Sequence, residues 1–332
     1  MRRLGGVFDT VASTDNLWQA WCDYRKGKRS RRSVRAFDAE AGRQVVRLSR
    51  ELGDGSYRPG GYRLLGIHEP KRRLIAAAPV RDRVVHRAIH RVVAPALDRG
   101  LIDATYACLP GRGSHRALLA MLAALRRYRY VLLLDVRAYF PSVRHAALRQ
   151  VLRGELKDRR LLALTDVIID SGDGLYRADG VAEFLGLEPG FPPPGCGLPI
   201  GNLTSQAWGN LYLSGLDHYV KRELKVPHYQ RYLDDLALAG DSRSELAAAR
   251  DALAAWLWRE RGQVLKRPDA RPRSTRARHR YLGYRVSRAG VEVPAAVMQR
   301  MRVRMGELVL RGDPEAIERM AASYRGVVSF LA

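Results

Sequence analysis

His228-Tyr229-Gln230-Arg231-Tyr232-Leu233-Asp234-Asp235-Leu236-Ala237-Leu238-Ala239 is the stretch whose reading decides the fold. Two short strand-like runs flank Tyr232-Leu233-Asp234-Asp235, so the adjacent carboxylates fall at the tip of an expected β-hairpin. Paired acids on a rigid turn suit divalent metal ions. An ordinary surface turn is the alternative, because Asp hydrogen-bonds to its own backbone in turns. The remaining segments weigh on that choice.

The chain has 332 residues, of which 46% are hydrophobic. That is enough to bury a sizeable core in one large domain or two to three small ones. Lys and Arg number 58 against 34 Asp and Glu, a formal charge of +24. An excess of this size favours a polyanionic partner, nucleic acid first and a membrane surface second. No apolar run approaches the roughly 18 residues of a membrane-spanning helix, and no signal peptide is visible. Cys22, Cys108 and Cys196 lie far apart and form no C-x-x-C pair. They argue against a disulfide framework or zinc site and fit a reducing cytoplasm. The 8 histidines form no H-E-x-x-H spacing, and neither a P-loop nor a G-x-G-x-x-G fingerprint is present.

Residues 10–60 read as basic and helical, with a dense run Arg25-Lys26-Gly27-Lys28-Arg29-Ser30-Arg31-Arg32 that is either a solvated segment or a phosphate contact. Tyr62–Ile67 and Arg73–Ala78 read as strands around His68-Glu69-Pro70-Lys71. Apolar residues at 84, 85, 88, 89, 92 and 93 predict a helix with Arg83, Arg87, His90 and Arg91 opposite. Ser114 is the expected N-cap of the next helix, where Arg112 and the backbone amides could receive a phosphate. Tyr130–Leu134 reads as a buried strand delivering Asp135, and Ser142 as the cap of a helix through Leu152. Residues 168–196 read as a loop or small hairpin, and a helix is expected from the Ile200-Gly201 turn to about Leu224. An Ala-rich helix over 243–260, a basic loop over 266–280, a hairpin of Tyr281–Val286 with Val291–Val293, and helices over 294–310 and 314–329 complete the chain.

Taken in order, these segments resemble a reverse transcriptase over residues 60–325. Lys71-x-Arg73-Leu-Ile with Arg81-Asp82-Arg83-Val-Val resembles the fingers motifs of the bacterial enzymes, and Thr105-Tyr106-Ala107-Cys108 with Gly111-Arg112-Gly113-Ser114-His115 the block after them. Asp135-Val-Arg-Ala-Tyr-Phe140 is similar to the first metal motif and Leu198-Pro-Ile-Gly-Asn-Leu-Thr-Ser-Gln206 to the template-and-nucleotide motif. Tyr232-Leu-Asp-Asp235 is similar to the second metal motif, and Tyr281-Leu-Gly-Tyr284 to the primer-grip hairpin.

The resemblance implies an α+β right-hand polymerase fold. Its parts would be a basic helical extension over 1–60, fingers over 61–130 and a palm over 131–260 with the 168–196 insertion. A basic loop and primer grip over 261–293 and a short helical thumb over 294–332 would follow. It implies RNA-directed DNA synthesis from deoxynucleotides on a template RNA and a primer or cDNA strand, with two Mg²⁺ ions and Mn²⁺ as a substitute. Asp135, Asp234, Asp235 and the Val136 carbonyl would hold the metals. Lys71, Arg73, Ala138, Tyr139, Phe140, Ile200, Gly201 and Gln206 would meet the nucleotide, with Phe140 blocking a ribose 2′-hydroxyl. Arg112, Lys266, Arg278, Tyr281, Leu282 and Gly283 would meet nucleic acid.

Ile200 stands where most reverse transcriptases carry Gln. The variant resembles the enzymes of diversity-generating retroelements, which copy RNA with errors at adenines and work with a small basic accessory protein. The lineage resembled is group II intron-like, but no RNase H, integrase, zinc endonuclease or long maturase extension is recognisable, so a complete group II intron protein is not expected. A domesticated antiphage-defence enzyme, with a structured non-coding RNA as partner, is the second reading. A non-catalytic RNA-binding protein on the same fold is the third.

Overall fold

Apolar spacing and turn residues place most elements where the sequence predicts them. The computed structural model describes residues 3–68 and 71–328. The Glu69-Pro70 part of the expected turn at 68–71 lies outside them. Helices α1 (Phe8–Ala12), α2 (Thr14–Arg25), α3 (Arg32–Asp38) and α4 (Ala41–Gly53) are followed by strands β1 (Arg63–Ile67) and β2 (Arg73–Ala77), paired antiparallel. Next come α5 (Val80–Asp98), α6 (Ser114–Arg127), β3 (Tyr130–Asp135), α7 (His145–Glu155), α8 (Arg159–Asp170) and α9 (Val181–Leu185). Helices α10 (Leu203–Tyr212) and α11 (Ser214–Arg222) precede strands β4 (His228–Tyr232) and β5 (Asp235–Gly240), then α12 (Arg243–Trp256). Short strands β6 (Arg273–Ser274), β7 (His279–Tyr281), β8 (Tyr284–Val286) and β9 (Val291–Glu292) lead to α13 (Ala295–Arg311) and α14 (Pro314–Val328). The fold is mixed α+β.

The described residues divide into two compact units. The first takes Met1–Asp103, Val136–Tyr219 and Leu253–Lys266, and the second Ala104–Asp135, Val220–Ala252 and Arg267–Ala332.

In the first unit α5 is the central helix, packed by α2 and α10. Its residues Val84, Val85, Ala88, Ile89 and Val93 are buried, as their spacing requires. Trp21 is fully buried on α2, with its ring centroid 4.5 Å from that of Phe37. Asp82, at the start of α5, is buried and accepts hydrogen bonds from the Tyr57 hydroxyl and the Gly60 amide, each at 2.8 Å. Burial foremost pushes its carboxyl above the usual range.

The second unit is built on an antiparallel sheet in the order β4-β5-β3-β6. Its strand β5 is buried along almost its whole length, as expected of a strand covered on both faces. Leu118, Met121 and Leu125 of α6 join Val131, Ala237, Ala239, Tyr281 and Val286 in one apolar core. A three-stranded sheet, β7-β8-β9, completes this unit.

Five local expectations are corrected. Ser114 is the first helical residue of α6, and the cap is Gly113 at φ 121, a conformation open to glycine and strained for other residues. Ser142 does not cap α7, which begins after Arg144. Its hydroxyl instead donates to the Tyr139 carbonyl at 3.0 Å and accepts from Gln263 at 2.9 Å. Residues 168–196 hold the end of α8, a 3-10 turn and α9 rather than a hairpin. The helix expected from the Ile200-Gly201 turn to about Leu224 begins at Leu203 and breaks at Leu213 into α10 and α11. Tyr281–Val286 is not one strand. Leu282 and Gly283, at φ 49 and 85, make the tight turn between β7 and β8, and positive φ at both central residues is the hallmark of a type I′ turn.

Candidate active site

The carboxylates that the sequence singles out are brought together by strand register. β3 pairs antiparallel with β5 so that Asp135 stands directly opposite Asp235. On one face of such a pair, opposed β-carbons lie roughly 4.5–5.5 Å apart. β4 pairs with β5 through Tyr232 and Asp235, leaving Leu233-Asp234 as the two-residue turn. All three aspartates are half-buried. Leu233 has φ 53, which a branched residue adopts only under constraint.

Arg231, which sequence reading passed over, bonds to that turn. Its side chain is fully buried, and Nη1 donates to the Leu233 carbonyl at 3.2 Å. The Arg231 amide donates to the Ala104 carbonyl, and its carbonyl accepts from the Tyr106 amide, both at 2.9 Å. The only sequence signal was a cation inside an otherwise strand-like run.

One residue earlier, buried Gln230 donates through Nε2 to the Ala117 carbonyl and the Tyr281 hydroxyl, each at 2.9 Å. Tyr281 is therefore packed into the core by its side chain. Burial, with the charge of Asp235 adding to it, raises its phenol well above the ordinary value. Burial likewise raises Tyr232, with Cys108 and Asp235 adding. At the β7–β8 turn, Leu282 is half-buried and Gly283 exposed. Arg112 braces its own loop by donating to the Thr105 carbonyl at 2.8 Å. Arg278 is exposed.

Among the described residues, no group of three or more His, Cys, Asp or Glu side chains is placed to hold a metal ion. Asp135, Asp234 and Asp235 nonetheless fit a divalent cation in kind, being hard oxygen donors from one strand end and one turn. Mg²⁺ is commonly held by one or two carboxylates, with water and substrate phosphate completing its shell.

In the first unit, backbone bonds gather the other motif segments. Val136, which follows Asp135, is buried and bridges Leu265. Ala138 has φ 43. Tyr139 is buried, and its hydroxyl donates to the Gly209 carbonyl on α10. Phe140 is half-buried, edge-on to Tyr139 at 5.3 Å, and its carbonyl accepts from Leu198 at 2.9 Å. The half-buried Ile200 accepts from the Ala76 amide at 2.7 Å. Gly201 has φ 130, and a β-carbon there would lie 2.6 Å from the Ala76 carbonyl oxygen. One close approach that demands glycine is thus to strand β2. Lys71, Arg73, Gln206 and Lys266 are exposed.

The same unit contains an open cavity of about 830 Å³ whose lining includes Tyr24, Arg31, Arg32, Arg63 and Arg83 but no carboxylate. Arg83 is held by bonds to the Ala78 carbonyl at 2.7 Å and the Tyr24 hydroxyl at 3.0 Å. Arg25, Arg81 and Arg91 are ion-paired to Asp38, Glu51 and Asp23. Among the described residues the four cavity arginines form no such pair.

Residues 67–285 match the reverse transcriptase (RNA-dependent DNA polymerase) family. The chain is 28% identical over 200 residues to protein YkfC of Escherichia coli K12, covering 57% of this chain and 46% of that protein. It is 27% identical over 155 residues to an uncharacterized 91 kDa protein in the cob intron of Schizosaccharomyces pombe, covering 46% and 17%. It therefore spans less than half the length of either relative. Among solved structures, apo telomerase from Candida tropicalis truncated from its C-terminal domain superposes with a TM-score of 0.50 at 11% identity, over 71% of this chain and 55% of that one. At that identity the likeness is one of fold, and it agrees with a polymerase-like architecture. With the matched span running from β1 through the aspartate-bearing strands to β8, the chain belongs to the reverse transcriptase family.

Proposed function

We propose that this chain is an RNA-directed DNA polymerase that copies an RNA template into cDNA. The observation that carries the reading is the register of Asp135 opposite Asp235, with Asp234 in the adjoining turn. In the reaction the primer 3′-oxygen bonds to the α-phosphorus of a deoxynucleoside triphosphate, and the bond to pyrophosphate breaks. Divalent cations, Mg²⁺ or Mn²⁺, would supply Lewis-acid charge at that phosphate when bound. Asp135, Asp234 and Asp235 would hold them, with the Val136 carbonyl as a further oxygen. The chain itself contributes fixed geometry, which is most of what phosphoryl-type transfer requires.

The finer assignments follow this reading. The fingers would span 61–130, the palm 131–260 with its insertion at 168–196, the basic loop and primer grip 261–293 and the thumb 294–332, after an extension over 1–60. The Phe140 ring, held against Tyr139, supports its role as the barrier to a ribose 2′-hydroxyl. Lys71 and Arg73 are exposed cations suited to the triphosphate. The arginines that line the basic cavity suit RNA phosphates, with a steep salt dependence as counterions are released. No helix of the described residues is long and apolar enough to cross a membrane.

Ile200 supports an error-prone enzyme of the diversity-generating retroelement kind. Its backbone is tied to β2, while its side chain offers the nucleotide no polar group that could reject wrong geometry. Such an enzyme would use a small basic accessory protein. Primer extension on RNA with Mg²⁺, followed by product sequencing, tests both levels. Product from the wild type and none from Asp234→Asn, at equal RNA affinity, supports the polymerase. Equal product from both overturns the metal assignment. Errors concentrated at template adenines and lowered by Ile200→Gln support the retroelement reading. An error spectrum that Ile200→Gln leaves unchanged removes Ile200 as its basis.

A further inference from the structure

The aspartate-bearing turn is strained, and a buried cation sits under it. We propose that Arg231 is a positioning residue whose guanidinium fixes the Leu233 carbonyl and so holds the turn that presents Asp234 and Asp235. The functional part of this inference rests on the polymerase reading; the structural part does not.

Leu233 carries φ 53, a left-handed conformation that its β-carbon opposes. In a two-residue hairpin, positive φ at the first central position is the usual place for glycine. A leucine there stays put only if its surroundings over-determine it. Arg231 is suited to do so. Its side chain has no solvent exposure, so its bonds do not compete with water, and its planar fork loses less freedom on bonding than an ammonium would. Nη1 reaches the Leu233 carbonyl at 3.2 Å.

The anchor is itself immobilised. The Arg231 amide and carbonyl bond to Ala104 and Tyr106 at 2.9 Å. Arg112 ties the intervening Thr105 carbonyl at 2.8 Å. Directly after Arg231, Tyr232 pairs with Asp235 to close the turn. A rotation at Leu233 would therefore pass straight to the Asp234 carboxylate. A displacement near 1 Å at a reacting centre costs about a hundredfold in rate.

The test is a double-mutant cycle on the full chain: wild type, Arg231→Met, Leu233→Gly and both together. Single-turnover primer extension, half-saturating Mg²⁺, RNA affinity and Tm are measured for each. Arg231→Met is expected to lower the rate about a hundredfold and raise the half-saturating Mg²⁺ at unchanged RNA affinity. Glycine adopts the left-handed conformation without strain, so a turn carrying Leu233→Gly no longer needs the brace. In that background the same arginine substitution should cost less than about tenfold in rate. Equal losses in both backgrounds overturn the proposal. Should Arg231→Met not fold, Arg231→Lys replaces it, and its rate loss should likewise shrink in the Leu233→Gly background; an undiminished loss overturns the brace. A wild type that makes no product defeats the polymerase reading alone. The brace is then judged from Tm, where additive shifts for the two positions overturn it.

Discussion

Two hairpin turns in the second unit begin alike and end differently. Tyr232-Leu233-Asp234-Asp235 joins β4 to β5, and Tyr281-Leu282-Gly283-Tyr284 joins β7 to β8. Each opens with Tyr-Leu, and each leucine is left-handed, at φ 53 and 49. In the β7–β8 turn glycine takes the second positive φ, 85, as a type I′ turn favours. In the β4–β5 turn aspartates occupy the corresponding places, and a buried arginine holds the leucine carbonyl. The difference teaches that glycine eases one of the two left-handed positions of the β7–β8 turn, whereas the β4–β5 turn has no glycine and leans on a buried side chain.

The widest separation between the turns should come from charge. Asp234→Asn is expected to lower DNA synthesis on the order of a thousandfold, the scale of losing an electrostatic contact to developing charge. Comparable activity in primer extension would mean that the two turns do not differ in function. The next effect concerns strain. Gly283→Ala forces a β-carbon into left-handed backbone and should lower stability by about 1–2 kcal/mol, read as a fall in Tm. An unchanged Tm would show that the β7–β8 turn is held by more than its glycine.

Tyr281→Phe removes the hydroxyl that accepts from Gln230. A loss of about 1 kcal/mol is expected in denaturant unfolding. If RNA affinity falls instead while stability holds, Tyr281 contacts nucleic acid after all. The smallest effect belongs to Leu282→Gly. Relief of the left-handed leucine is offset by lost packing of a half-buried side chain, leaving a net change within about 1 kcal/mol by the same unfolding measurement. A large loss would make Leu282 a core residue rather than a turn residue.

Much of this molecule was legible in the chain. The 3.6-residue spacing of Val84, Val85, Ala88, Ile89 and Val93 placed α5, because periodicity reports which face is buried. The alternation and turn residues around Asp234-Asp235 placed the β4–β5 hairpin. Ser114 and Ser142 misled, since serine is a common helix cap but also satisfies other turns. Gly113 and Arg144 hold the cap positions instead, and Ser142 bonds to Tyr139 and Gln263. The Tyr281–Val286 run read as one strand because two strands of three residues each fall below what alternation can resolve.

By itself the sequence determined the order of the motifs, the excess of basic charge and the hairpin that carries two aspartates. These are properties of residue type and short-range spacing. Only the tertiary structure decided that Asp135 lies opposite Asp235, that Arg231 is buried beneath the turn, that Gly201 makes room for Ala76, and that Tyr281 faces the core. Each of those depends on a partner far along the chain, and register and burial are set by segments that local sequence does not contain.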